Sequence, residues 1–449
     1  MKTTFHGHRR AVSVLIVALC VHAAFCASLY YHFLDPLFYI TTHSKGQAGP
    51  FFGIYQAGVD LVHGESIYGS DNYSFPTHLV VPYYHFYRYL PFASYVSSVF
   101  SEFIRPWPAY WCWVVINEIL IGLAIVLTVR LRRLYGAAAI GVAAFWLLYS
   151  PMYIELYMGQ VCLTMAFFIF LMLYPYIKRA ASVASQPALA DPGLAPRAAG
   201  RRMPAWLSSV SWVVTLLLKS FTVLYTPTLF KMGKKRLAAA GVSAAVLTSA
   251  PYFFFHPGDL SWFLRLNLQP LPPRLTGGCF GFCGFMRDIF AHAGAFLGTK
   301  AIRIGPVDVM PQNVPLMVLS AAIVLTSLYL TLRRGRIDPV ASIALWTLTF
   351  FLIFKDIWEY HYVMLIPLFI AFYLETRSKF LLVLFIILAV PTPFVFYDLP
   401  ATDDPQLFWS TPLSVLHHAF KAVPTFLFYL WVVRREISRG SRAPAPEPA

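Results

Sequence analysis

Phe354-Lys355-Asp356-Ile357-Trp358-Glu359-Tyr360-His361-Tyr362-Val363 sets ionisable side chains between two apolar runs, residues 338–354 and 358–375. Lys355, Asp356, Glu359 and His361 fall where the hydrocarbon of a bilayer ends, and Trp358, Tyr360 and Tyr362 suit the aromatic belt at that boundary. Ionisable groups so near hydrocarbon cost on the order of 2.5–3.5 kcal/mol each on insertion scales, so they mark a site or a water-filled cavity. The stretch predicts an all-α, polytopic membrane protein that binds or transfers something at this turn.

Composition excludes the soluble classes. Of 449 residues, 58% are hydrophobic and only 12% charged, with a mean hydropathy of +0.62, which leaves too little polar surface for a soluble globule. The net charge of +15 comes from Lys and Arg in short clusters between apolar runs, a topology signal that argues against nucleic acid as a partner. Runs of about 20 apolar residues give about ten crossings, near 11–34, 108–130, 135–152, 159–177, 236–255, 313–332, 338–354, 358–375, 379–397 and 412–433. The basic clusters at Arg9, Arg130, Lys178, Arg201, Lys231, Arg333, Arg377 and Arg434 then share one face. The positive-inside rule makes it cytoplasmic, with both termini, and implies a multi-pass protein of the cell membrane. The first run starts basic like a signal peptide, but its length and the lack of a small-residue cleavage site favour a retained anchor.

Residues 206–230 are apolar between two clusters that both belong inside, so a single crossing breaks the charge rule. A helical hairpin broken near Lys219-Ser220 and returning through Pro227 satisfies it, and such a break is tolerated only where it is buried or lines a cavity. Residues 86–104, with Arg88 and Pro91, read as a re-entrant or interfacial helix. One domain, 1–433, thus carries a long first outer loop (35–107), a cytoplasmic linker (180–205) and a second outer loop (256–312), with 434–449 as a disordered tail. In the first loop, Gly49-Pro50 opens a short amphipathic helix ending at His63-Gly64. In the second, Gly277 to Gly284 lacks the ending of a phosphate loop, and a Cys279–Cys283 disulfide there rests on spacing alone. The other cysteines behave as small hydrophobes and form no metal-ligand pattern.

The order of motifs resembles the polyprenol-phosphate-mannose-dependent alpha-(1→2)-mannosyltransferase family of the GT-C superfamily. Tyr55-Gln-Ala-Gly58, Gly64 to Tyr68 and Phe86 to Pro91 look like its first-loop signature. Tyr149-Ser-Pro151 with Tyr157-Met-Gly-Gln160, Leu218-Lys-Ser220 and Trp358-Glu-Tyr-His361 are similar to its later elements, in the same order over most of the chain. The resemblance implies a GT-C-like fold and transfer of mannose, with inversion, from a polyprenyl-phosphate donor to a glycolipid or polysaccharide acceptor at the outer face. It implies no cofactor and no metal. A carboxylate would take the acceptor's proton, and cationic groups would hold the departing phosphate.

The chain departs from that pattern at Phe51, where the family has Asp four residues before the Tyr. Asp35, at the end of the first span, leads as the substitute base, followed by Asp60 and Glu155. His361 suits the donor phosphate because either ring nitrogen can donate a hydrogen bond. Arg88, Lys219, Gln160, Glu359 and Tyr55 complete the candidate binding set, although Arg88 also reads as a snorkelling side chain, Lys219 as facing the cytosol and Gln160 as a tie between helices. Two other readings compete. A lipid or glycan flippase or transporter also needs broken helices, but no internal repeat is visible; a non-catalytic family member would account for Phe51.

Overall fold

The computed structural model describes residues 2–38, 46–68, 76–83, 85–132, 134–177, 205–268, 281–297, 302–304, 307–309, 313–333, 338–392 and 412–440. These form helices α1 Lys2–Tyr31, α2 Gly49–Val62, α3 Pro91–Ser101, α4 Pro106–Arg132, α5 Ala137–Leu147, α6 Pro151–Met158, α7 Cys162–Leu173, α8 Ala205–Leu218 and α9 Thr226–Lys231. They continue with α10 Lys235–Phe255, α11 Pro257–Leu268, α12 Phe282–Leu297, α13 Asn313–Leu332, α14 Pro339–Ile353, α15 Ile366–Thr376, α16 Lys379–Ala389 and α17 Pro412–Gly440. One small antiparallel hairpin, Ile302–Ile304 with Val307–Val309, interrupts the helices.

Among the described residues, four helices are long and apolar enough to cross a membrane, in α1, α4, α10 and α13, or five if α5 and α6 count as one span bent by 50°. The fold is thus that of a helical membrane protein. The other expected crossings fall on shorter pieces, and the reason is local. Pro151 ends α5–α6 as a straight rod, Gly159 separates α6 from α7, and residues 354–358 are extended before a 3-10 turn, Glu359–Leu365, leads into α15. α7 therefore starts at Cys162, inside the 159–177 span that the sequence predicts.

The hairpin of residues 206–230 is broken as expected. α8 stops at Leu218, Lys219 is extended (φ −142°, ψ 114°), and a 3-10 segment, Ser220–Tyr225, leads through Pro227 into α9. The Trp212 indole donates to the Thr222 carbonyl across the break at 3.1 Å, supplying a donor that the helix no longer provides. α10 packs over this indole at Gly241, where a Cβ would stand 2.1 Å from the ring.

The first outer loop differs in one respect from the expectation. α2 ends at His63-Gly64 as predicted, but it is buried on nearly all sides rather than amphipathic, because α3 packs along it and Ser97 Oγ donates to the Ile54 carbonyl at 2.7 Å. The 434–449 tail also needs correction at its start, since α17 runs on to Gly440. Arg435 pairs with Glu375 at 2.7 Å and Arg439 with Asp338 and Glu375, which holds the last turns of α17 against the ends of α14 and α15. The linker expected at 180–205 lies outside the described residues except for Ala205. Cys283 is a free thiol, and Cys279 lies outside the described residues.

Gly241→Ala forces the Trp212 ring away, and overpacking of this kind costs about 1–3 kcal/mol. The thermal midpoint of the purified protein is expected to fall by several degrees, whereas Gly122→Ala, where a Cβ meets nothing within 4 Å, leaves it unchanged or higher. Equal midpoints for the two variants would remove Trp212 as the clamp of the hairpin.

Candidate functional site

Three chain reversals meet at one place. The turn from α6 to α7 is made by Gly159 in the left-handed region (φ 63°), which presents Gln160. The break after α8 presents Lys219, and the extended stretch after α14 presents Lys355, Asp356 and, one turn later, His361. The segment before α3 adds Arg88 and Tyr89, and α11 adds Phe263, Leu266 and Asn267. Together they line an open cavity of about 530 Å³.

Its lining divides into two kinds of surface. Arg88, Lys219 and Lys355 face it as three basic side chains against one carboxylate, Asp356, with Gln160, Asn267 and His361 as neutral or titratable partners. Phe221, Leu224, Phe350, Ile353 and Phe354 make the rest of the wall apolar. Four of the residues singled out from sequence, Arg88, Gln160, Lys219 and His361, are thus brought together from segments far apart in the chain.

The polar groups form connected chains. Arg88 Nη1 donates to Asp356 Oδ2 at 2.5 Å, and the Trp358 indole donates to Asp356 Oδ1 at 2.5 Å. His361 Nδ1 accepts from the Trp358 backbone N–H at 2.9 Å, which turns Nε2 toward Lys219 Nζ, 3.0 Å away. Lys219 also donates to Cys162 Sγ at 3.1 Å. Tyr89 donates its hydroxyl to Gln160 Oε1 at 2.6 Å, so the Gln160 amide nitrogen stays available to a ligand. Asp356 was marked from sequence as part of the ionisable stretch but given no role, and Tyr89 was not singled out.

The remaining candidates stand elsewhere. Asp35 starts a 3-10 turn, Asp35–Phe38, and accepts from Tyr153 at 2.5 Å with His32 Nδ1 at 3.0 Å, outside the cavity lining. Asp60 is fully buried on α2, where Gln56 donates to it at 2.6 Å. Glu155 is buried behind the cavity wall and accepts from the Leu163 N–H at 2.8 Å. Glu359 turns away from the cavity to pair with Lys421 of α17 at 3.2 Å. Tyr55 staples α2 to the end of α3 by donating to the Ser101 and Ile104 carbonyls. Phe51 is buried among Phe100, Tyr110 and Trp113.

No protein-family model matches the chain, and no curated protein matches it.

Burial pushes the Asp60 carboxyl up from 3.8 to about 7, against the lowering effect of the Gln56 hydrogen bond. A folded-state value above the unfolded one means that the native protein prefers the protonated acid. The resulting stabilisation is complete below about pH 4 and lost as the pH rises through about 7. Asp60→Asn keeps the acceptor for Gln56 and carries no charge. Its thermal midpoint is expected to match wild type at pH 4 and exceed it at pH 8; parallel midpoints over that range would show that Asp60 is not protonated in the folded loop.

Proposed function

We propose that this chain is a membrane glycosyltransferase of GT-C-like architecture, with about ten crossings and both termini in the cytoplasm, in the cell membrane. It moves a hexose, mannose by its sequence resemblance, from a polyprenyl-phosphate donor to a glycolipid or polysaccharide acceptor at the outer face. The observation that carries this reading is the convergence of Arg88, Lys219, Lys355 and His361 on one cavity whose remaining wall is apolar. A lipid phosphate has that same division: an anion that needs cationic hydrogen-bond donors and a chain that gains about 0.8 kcal/mol per buried methylene.

In the proposed reaction the acceptor hydroxyl oxygen attacks the anomeric carbon as the bond from that carbon to the phosphate oxygen breaks. The polyprenyl phosphate leaves with the electron pair, and Arg88, Lys219 and Lys355 stabilise its growing charge. The hydroxyl proton goes to a carboxylate. Asp356 is the only carboxylate lining the cavity among the described residues, so it takes this role ahead of Asp35, Asp60 and Glu155. Phe51 favours a second, non-catalytic reading, because a ring packed in an aromatic cluster stands where the family has its carboxylate.

Reconstituted protein given radiolabelled polyprenyl-phosphate mannose and a panel of glycolipids is expected to form product. Asp356→Asn should lower single-turnover transfer by about 10²–10⁴-fold, with Asp35→Asn, Asp60→Asn and Glu155→Gln much milder. A collapse in one of those three would move the base there. Absence of product with every acceptor, while the donor crosses between leaflets, would establish a flippase instead.

A further inference from the structure

His22, Cys26 and Glu118 stand together between α1 and α4, and the proposed transfer uses none of them. His22 and Cys26 are one helical turn apart, which puts both on the same face of α1. Glu118 reaches them from α4: its Oε2 lies 2.8 Å from His22 Nε2, and its Oε1 accepts from the Cys26 thiol at 3.7 Å. The candidate ligand atoms all fall within 4.8 Å of one another. His22 is only 8% exposed, and its Nδ1 has no partner among the described residues. Both helices belong to those long and apolar enough to cross a membrane, Ala11–Tyr31 and Pro106–Arg130, and the three residues stand near the middle of each.

We propose that this triad binds a divalent transition metal of the zinc class and so cross-links α1 to α4. The donor set selects the class: imidazole nitrogen, thiolate sulfur and carboxylate oxygen suit zinc and its neighbours, whereas calcium and magnesium take oxygen ligands. The geometry fits as well. A tetrahedral site with bonds of about 2.0–2.3 Å has ligand-to-ligand edges of about 3.3–3.8 Å, and the present separations bracket them.

Charge permits the exchange: a divalent ion with one thiolate, one carboxylate and a neutral imidazole sums to zero, as does the doubly protonated triad without metal. Before binding, the His22–Glu118 pair holds one proton and the Cys26 thiol another. Metal binding forms bonds to nitrogen, sulfur and oxygen and releases both protons to solvent. The fourth position is left for water.

The test uses untagged, full-length protein in detergent, stripped with chelator and dialysed against Zn²⁺ or Co²⁺. One Zn²⁺ per chain is expected by elemental analysis, and Co²⁺ should give a thiolate-to-metal charge-transfer band with tetrahedral visible bands. Cys26→Ser should abolish the charge-transfer band. His22→Ala and Glu118→Gln should weaken binding by at least the ~10–100-fold that loss of an outer-shell partner costs. Cys20→Ser and Cys112→Ser, at the exposed cysteines, should change nothing. Zn²⁺ should raise the thermal midpoint of wild type but not of Cys26→Ser, whose metal-free midpoint should equal that of metal-free wild type and so report an intact fold. Sub-stoichiometric Zn²⁺, a Co²⁺ spectrum without the thiolate band, or equal binding by Cys26→Ser would overturn the proposal and leave His22–Glu118 as an ion pair.

Discussion

A helix that breaks inside hydrocarbon frees backbone groups that only protein can satisfy, each at a cost of several kcal/mol if left alone. Several of the described breaks are closed by side-chain donors. Trp212 reaches the Thr222 carbonyl behind Lys219, Trp113 reaches the Gln160 carbonyl at 3.2 Å, and Lys421 reaches the Leu388 and Val390 carbonyls at 2.7 and 2.6 Å. At the α5–α6 bend the Ser150 N–H finds the Ala389 carbonyl of α16 at 3.1 Å. With these caps the chain can stop a helix at Gln160 and at Lys219, and after the stop at Phe354 the Trp358 N–H finds His361 Nδ1 at 2.9 Å. The cavity is the space between those three stops.

The same economy governs the charges. Lys421, with no exposed surface, uses its three N–H groups on two carbonyls and Glu359, and Glu359 in turn accepts from the Thr392 N–H. The pair ties α16 and α17 to the 3-10 turn that carries His361. Removing one partner of such a buried pair leaves an uncompensated charge and costs about 3–5 kcal/mol, so Glu359 holds the turn in place and His361 is what the turn presents. At the other end of the bundle, Arg435 and Arg439 of α17 bridge Asp338 and Glu375, where α14 begins and α15 ends. α14 and α15 are thereby fixed at both ends.

Much of this was legible in the sequence because membrane proteins write their constraints in composition. The break at Lys219-Ser220 follows from charge bookkeeping around 206–230, and the end of α2 follows from His63-Gly64. Arg88, Lys219 and His361 stood out as polar residues in apolar surroundings, and Gln160 only through its motif. The carboxylates were less readable. Asp35 and Asp60 look free in a loop, but Tyr153 and Gln56 occupy them, and those partners come from tertiary contacts or from a helix buried on all sides. Glu359 and Asp356 are three residues apart in an irregular stretch, so no helical or strand period decides which one faces the cavity. Hydropathy records apolar length and is blind to a Pro or Gly that cuts the helix, so among the described residues only four or five of the expected crossings are single helices long and apolar enough to span.

The central claim is that the space between three helix stops binds a lipid phosphate. Equilibrium binding of a short-chain polyprenyl phosphate to the protein in nanodiscs tests it most directly, with wild type beside Lys219→Gln. Loss of a hydrogen bond to a charged group is worth about 1.5–3 kcal/mol, so Kd is expected to rise by roughly 10–100-fold while the fold and the binding of an uncharged polyprenol stay as they are. An unchanged Kd for the phosphate, or an equal loss for phosphate and alcohol, would contradict the account.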